Sequence, residues 1–215
     1  NIDIEQIYGK ETALQQALKI DDDIARCLVE NKYKKLNKTK LFYQAVECSS
    51  LSMVRYLMEK EKGKINVTRS FRGRTAVDEA FRQKNEEVVQ CILDNKTFSK
   101  DQLSKILYDS VKFGFKNVIN YIIEREPKIN IEKFFQTKTA LQLAVSLGRE
   151  EITDVLLKHK SQPEELTDTQ DNSFLHLAVK GKSHELVKMV LGDKERFRID
   201  VTARNAKKQT ALDIA

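Results

Sequence analysis

One seven-residue pattern recurs along the whole chain and restricts its fold more than any other feature. Its clearest form is Thr139-Ala140-Leu141-Gln142-Leu143-Ala144-Val145. Thr75-Ala76-Val77-Asp78-Glu79-Ala80-Phe81, Ser173-Phe174-Leu175-His176-Leu177-Ala178-Val179 and Thr12-Ala13-Leu14-Gln15-Gln16-Ala17-Leu18 repeat it. The last six residues, Thr210-Ala211-Leu212-Asp213-Ile214-Ala215, begin it again. Two degenerate copies, Lys40-Leu41-Phe42-Tyr43-Gln44-Ala45-Val46 and Lys105-Ile106-Leu107-Tyr108-Asp109-Ser110-Val111, fill the gaps. The small residue in sixth place falls at 17, 45, 80, 110, 144, 178 and 215, in steps of 28, 35, 30, 34, 34 and 37. A period of about 33 marks a repeat architecture in which each copy is one supersecondary unit.

A second apolar run follows most copies: Met53, Val54, Leu57; Val88, Val89, Ile92, Leu93; Val118, Ile119, Ile122, Ile123; Ile152, Val155, Leu156; and Leu186, Val187, Val190, Leu191. Their spacing is helical. Gly114 and Gly148 stand between the two runs, where a helix end often needs positive φ. Asp21, Ser49, Lys84 and Lys182 hold that place in other copies. Short extended pieces come next: Ile65-Asn66-Val67, Ile129-Asn130-Ile131 and Ile199-Asp200-Val201. One unit therefore reads as helix, turn, helix and extended loop. Such a pair cannot bury both its faces, so neighbours must stack. Ala17, Ala45, Ala80, Ala144 and Ala178 are expected where first helices approach. Thr12, Thr75, Thr139, Ser173 and Thr210 are expected to cap those helices.

This pattern resembles the ankyrin repeat family, whose motif runs close to Thr-Pro-Leu-His-x-Ala-Ala and continues through a Gly turn into a Val-Val-x-Leu-Leu-Leu helix. The resemblance implies an all-α solenoid of stacked helix-turn-helix units with short hairpin-like loops. It divides the chain into one array with repeats at 8–36, 37–68, 71–98, 100–132, 135–166, 169–202 and a truncated 205–215. Only His176 keeps the motif's His; Gln15, Asp78, Gln142 and Asp213 replace it, with Tyr43 and Tyr108 in the degenerate copies. No copy has the motif's Pro. The half-copy would expose Leu212 and Ile214, and the opening Asn1-Ile2-Asp3 has no Met, so the natural protein is expected to continue beyond residue 215.

Composition excludes several other classes. Hydrophobic residues make up 40% and charged residues 33%, too apolar for a disordered chain. No apolar run is long enough to span a membrane. Cys27, Cys48 and Cys91 show neither metal spacing nor a disulfide framework. Cys27 and Cys91 lie in apolar helical patterns that suit buried thiols, and a reducing, cytoplasmic setting follows. A nuclear site, the cytosolic side of a membrane protein and a host cytosol are alternatives.

Catalytic motifs are missing: there is no phosphate loop, nucleophile elbow or paired-His motif. His176 has its structural place in the repeat, and His159 and His184 stand alone. Asp21-Asp22-Asp23 reads as acid at a helix N-terminus, and Glu164-Glu165 as a solvated loop. No enzyme activity, metal or cofactor is expected.

Surface residues remain. Partners of the resembled family meet the hairpin tips and the exposed side of the first helices. Carried onto this chain, those positions are Phe71, Arg72, Arg74, Arg82 and Gln83; Lys112 and Phe113; Phe135, Gln136, Lys138, Ser146 and Leu147; and Thr169, Gln170, Asn172 and Lys180. They suggest a concave strip of cations and aromatics with little acid. Arg supplies directional donors, and aromatics beside Arg are common at binding hot spots. The expected function is a non-catalytic protein–protein interaction module for an acidic or amphipathic partner segment. Two alternatives stand: recognition of a phosphorylated small molecule or oligonucleotide by the same strip, and a structural array within a larger channel, kinase-linked sensor or bacterial effector.

Overall fold

The computed structural model describes residues 7–8, 11–32, 36–61, 63–160 and 166–215. The chain forms two compact units, Asn1–Thr97 and Phe98–Ala215, divided between the third and fourth repeats. In the first unit a small antiparallel hairpin, β1 (Ile7–Tyr8) and β2 (Glu11–Thr12), pairs Ile7 with Thr12. It leads into three helix pairs: α1 (Ala13–Ile20) with α2 (Asp22–Lys32), α3 (Lys38–Glu47) with α4 (Leu51–Lys60), and α5 (Ala76–Arg82) with α6 (Glu86–Asn95). The second unit holds α7 (Lys100–Phe113) with α8 (Lys116–Arg125), α9 (Ala140–Ser146) with α10 (Glu150–His159), and α11 (Phe174–Lys180) with α12 (His184–Gly192). A single turn, α13 (Lys194–Phe197), and α14 (Ala211–Ile214) complete it.

The motif's first residue starts its helix by reciprocal capping. The Thr75 amide donates to Asp78 Oδ2 at 3.0 Å, and the Asp78 amide donates back to Thr75 Oγ1 at 3.2 Å. Thr12 with Gln15, Thr139 with Gln142 and Thr210 with Asp213 do the same. In copy six the Ser173 amide donates to His176 Nδ1 at 3.2 Å. Gln, Asp and His are interchangeable here because the cap asks only for an acceptor three residues on. Lys40 and Lys105 cannot cap, so the starts of α3 and α7 move upstream to Asn37 and to Ser99 with Gln102. Those helices run to 10 and 14 residues, against 7 for α5, α9 and α11. Tip bridges Phe71–Arg74, Phe135–Lys138 and Thr167–Ser173 precede α5, α9 and α11. Among the described residues none precedes α7.

Within each unit, first helices pack on first helices: α1, α3 and α5 in one, and α7, α9, α11 and α14 in the other. Ala17, Ala45, Ala80, Ala144 and Ala178 are buried between them, as expected. Ser110 takes that place in α7 and satisfies its hydroxyl on Ile106 O at 2.7 Å. Second helices form the other layer, tied at their starts. Ser183 donates to Glu150 Oε1 at 2.7 Å, and Ser50 bonds Asp22 in the same way.

The turns between paired helices use positive φ at Ser49, Lys84, Gly114, Gly148 and Lys182. Asp21 differs: its φ is −156° and its Oδ1 accepts from the Asp23 and Ile24 amides. It therefore caps α2, whose first turn carries Asp22 and Asp23. Successive turns touch in the second unit. A Cβ on Gly181 would lie 2.3 Å from Val145 O, and one on Gly148 would lie 2.5 Å from Gly181 O.

Two further expectations need correction. Cys27 is exposed because the buried stripe of α2 runs through Ala25 and Val29, and Cys27 lies half a turn away from it. Cys91 is buried, Cys48 is half-buried, and no cysteine is in a disulfide. The piece at 199–201 differs in burial from Ile65 and Val67 or Ile129 and Ile131, since Val201 is exposed. In that copy α13 intervenes, and Phe197 packs on Phe174 with ring centroids 5.2 Å apart. Leu212 is 84% exposed, while Ile214 is half-buried. Glu164 and Glu165 lie outside the described residues. No helix among the described residues is long and apolar enough to cross a membrane.

Candidate partner-binding surfaces

In the first unit, three of the expected cationic and amide side chains converge on a residue outside the expected surface set. Glu79, in α5, is 0% exposed. Its Oε1 accepts from Arg82 Nε at 2.8 Å, Arg82 Nη2 at 2.6 Å and Gln83 Nε2 at 2.8 Å. Its Oε2 accepts from Arg74 Nε at 3.0 Å and the Tyr43 hydroxyl at 3.1 Å. Burial alone would push this carboxyl up; the hydrogen bonds from Arg82, Gln83 and Tyr43 outweigh it and hold the pKa at about 2. Arg74 and Arg82 are thus committed largely to the fold. The expectation of little acid on this face fails at Glu79 and again at Glu47, which meets Arg72 Nη1 at 3.4 Å.

The tip itself is ordered by stacking. Phe71 is half-buried, with its ring centroid 5.1 Å from that of Tyr43, and Arg69 lies over it at 5.3 Å. Arg72, at the turn with φ 53°, is exposed.

The second unit repeats the tip with different polar chemistry. Phe135 stacks on Tyr108 at 5.1 Å, with Lys133 over it at 5.7 Å, and Gln136 is exposed at the turn with φ 60°. Tyr43 and Tyr108, which replace the motif's His, thus support the following tip rather than cap their own helices. No Glu79 equivalent exists here, because Leu143 holds that place in α9.

Lys138 turns instead to Asp168, at 3.4 Å from Oδ2. Asp168 is buried and accepts from Asn172 Nδ2 at 3.0 Å on each oxygen, and from the Gln170 amide at 2.8 Å. Burial would raise its pKa, but the Asn172 bonds and Lys138 leave it lowered. Asn172 is itself fully buried. Its Oδ1 accepts from Lys180 Nζ at 2.9 Å and Asn205 Nδ2 at 3.0 Å. Burial lowers the pKa of Lys180, and the charges of Lys138 and Lys207 add to that. Asn172 therefore orients Lys180 and presents no surface of its own.

The remaining expected residues end the first helices or cross the tips. Lys112 is exposed, 5.9 Å from the half-buried Phe113 ring, and Leu147 is 43% exposed. Ser146 donates to Leu143 O at 2.9 Å. Gln170 is exposed, and its carbonyl accepts from the Ala206 amide at 3.0 Å. The Thr169 amide donates to Thr137 O at 3.1 Å. His176 Nε2 meets Gln209 O at 3.0 Å and so ties one copy to the next. His159 is half-buried and His184 exposed. Among the described residues no group of His, Cys, Asp or Glu converges as a metal site would.

Comparison with known proteins agrees with this geometry. Residues 107–205 match the family described as ankyrin repeats, three copies. No curated protein sequence matches the chain significantly. The solved ankyrin repeat domain of Bcl-3, described as a unique member of the IkappaB protein family, is similar at 19% identity with a TM-score of 0.63, covering 95% of this chain and 94% of that one. The human ASB11 ankyrin repeat domain is similar at 18% identity with a TM-score of 0.71, covering 95% and 92%. Identity at that level speaks for the fold alone. Residues 107–205 thus carry the ankyrin-repeat family pattern, and the helix pairs of both units share the fold of the solved ankyrin repeat domains.

Proposed function

We propose that this chain is a non-catalytic protein–protein interaction module, as ankyrin repeats generally are, docking a partner on its hairpin tips and on the exposed ends of its first helices. One observation carries the reading. In both units a tip phenylalanine is clamped on a tyrosine of the preceding copy at 5.1 Å, so the residues at the turn are presented on an ordered base. A preorganised surface loses less entropy on binding. The cysteines, none in a disulfide, support a reducing compartment such as the cytoplasm.

Affinity capture from lysate tests it with Arg72→Glu and Gln136→Glu, beside outer-helix controls Arg55→Glu and Lys158→Glu. The tip variants should lose partner while the controls keep it. Equal capture by all four would refute tip docking.

A further inference from the structure

The ends of the first helices differ between the units. In α5 the end residues Arg82 and Gln83 are drawn onto Glu79. In α9 the same places hold Ser146 and Leu147, and Leu147 is left 43% exposed. The equivalent ends carry exposed Lys112 in α7 and exposed Lys180 in α11. Because α9 packs against both α7 and α11, neighbouring helix ends carry Lys112, Leu147 and Lys180 in turn, a row of cation, apolar side chain, cation in which Ser146 holds the place equivalent to the two lysines.

Lys180 is held in place. Its ammonium gives one bond to Asn172, at 2.9 Å, and Asn172 is fixed by Asp168 and Asn205. An ammonium has three donors, so two stay available for an incoming acceptor. The nearby carboxylate of Asp168 is buried and already shared with Lys138, while Asp171 and Asp213 are the exposed acids on the neighbouring tip and helix.

Resting on the reading that the chain binds protein partners, we propose that this row is the docking site of an acidic, amphipathic peptide segment. Carboxylates of the segment meet Lys112 and Lys180, and an apolar side chain between them covers Leu147. Charge complementarity sets the sign of the partner. The exposed leucine between the cations favours a peptide over a polyphosphate chain, whose charge repeats with nothing to cover it.

Fluorescence anisotropy with a labelled peptide of repeating Glu-Glu-Leu tests the site on the full chain. Lys180→Glu and Leu147→Glu should each weaken binding about tenfold or more. Lys180→Gln, which keeps a donor for Asn172, should weaken it less, and Lys158→Glu on the outer helix should leave it unchanged. Circular dichroism checks that each variant is folded. The proposal is overturned if Lys180→Glu binds like the parent, if Lys158→Glu loses as much, or if an oligonucleotide binds tighter than the peptide and ignores Leu147→Glu. Lysate capture is run in parallel. A parent that captures partners yet shows no Lys180-dependent peptide binding refutes this site alone; a parent that captures nothing refutes the interaction reading itself.

Discussion

Glu79 shows how far one buried carboxylate reorganises its surroundings. It receives bonds from Arg82, Gln83, Arg74 and Tyr43, and removing a donor leaves charge buried with less compensation. Arg82→Ala should lower the urea midpoint clearly, because it leaves Glu79 buried with fewer donors. Arg72→Ala breaks only an exposed pair with Glu47 and should cost under about 0.5 kcal/mol. Equal midpoints for the two variants would contradict this ranking. Part of the cluster was legible, since Glu79, Arg82 and Gln83 stand at i, i+3 and i+4 of one helix. Its burial was not, because that depends on Tyr43, 36 residues away. The one available hint was an acid where copies five and six carry Leu143 and Leu177.

For single elements, the repeat copies predicted where helices begin wherever a hydroxyl occupied the first place. Where Lys occupied it, the true cap lay upstream and outside the motif, so the length of α7 was hidden. Thr139 is fully buried, and its Oγ1 accepts from the Gln142 amide at 3.3 Å. Thr139→Ala should cost about 1–2 kcal/mol, measured by thermal or chemical denaturation. The touching turns give a sharper contrast. Gly181→Ala would drive a methyl group onto the Val145 carbonyl and should cost about 1–3 kcal/mol. The close approach behind that cost was invisible in sequence, where Gly181 has ordinary negative φ and no apparent role.

Across the whole molecule, the fold class was readable from period and pattern alone, while the chemistry of the exposed face was not. Charges that look available in sequence are partly spent on Glu79, Asp168 and Glu47. Glu79 and Asp168 also set a pH response. Glu79 titrates near 4.5 when unfolded and at about 2 when folded. Below 4.5 the unfolded chain takes up a proton that the folded chain refuses. This contribution, about 3 kcal/mol, is complete above that pH and is lost as pH falls toward 2. Asp168 is shifted in the same direction. Urea midpoints should therefore decline through that acid window, and Glu79→Gln should flatten the decline. An unchanged slope in the variant would rule out Glu79 as its source.

Copies three and five solve the same local problem in incompatible ways. One uses Glu79, Arg82 and Gln83; the other uses Leu143, Ser146 and Leu147. Exchanging all three residues at once, Glu79→Leu with Arg82→Ser and Gln83→Leu, together with Tyr43→Phe to remove the hydroxyl that Glu79 would leave buried without an acceptor, should keep stability within about 1 kcal/mol of the parent. Glu79→Leu or Arg82→Ser alone should fall well below it, as denaturation of the set will show. Change at this address is therefore expected to be coupled: a single replacement of Glu79 or Arg82 strands the other, and only a concerted one restores a satisfied interior.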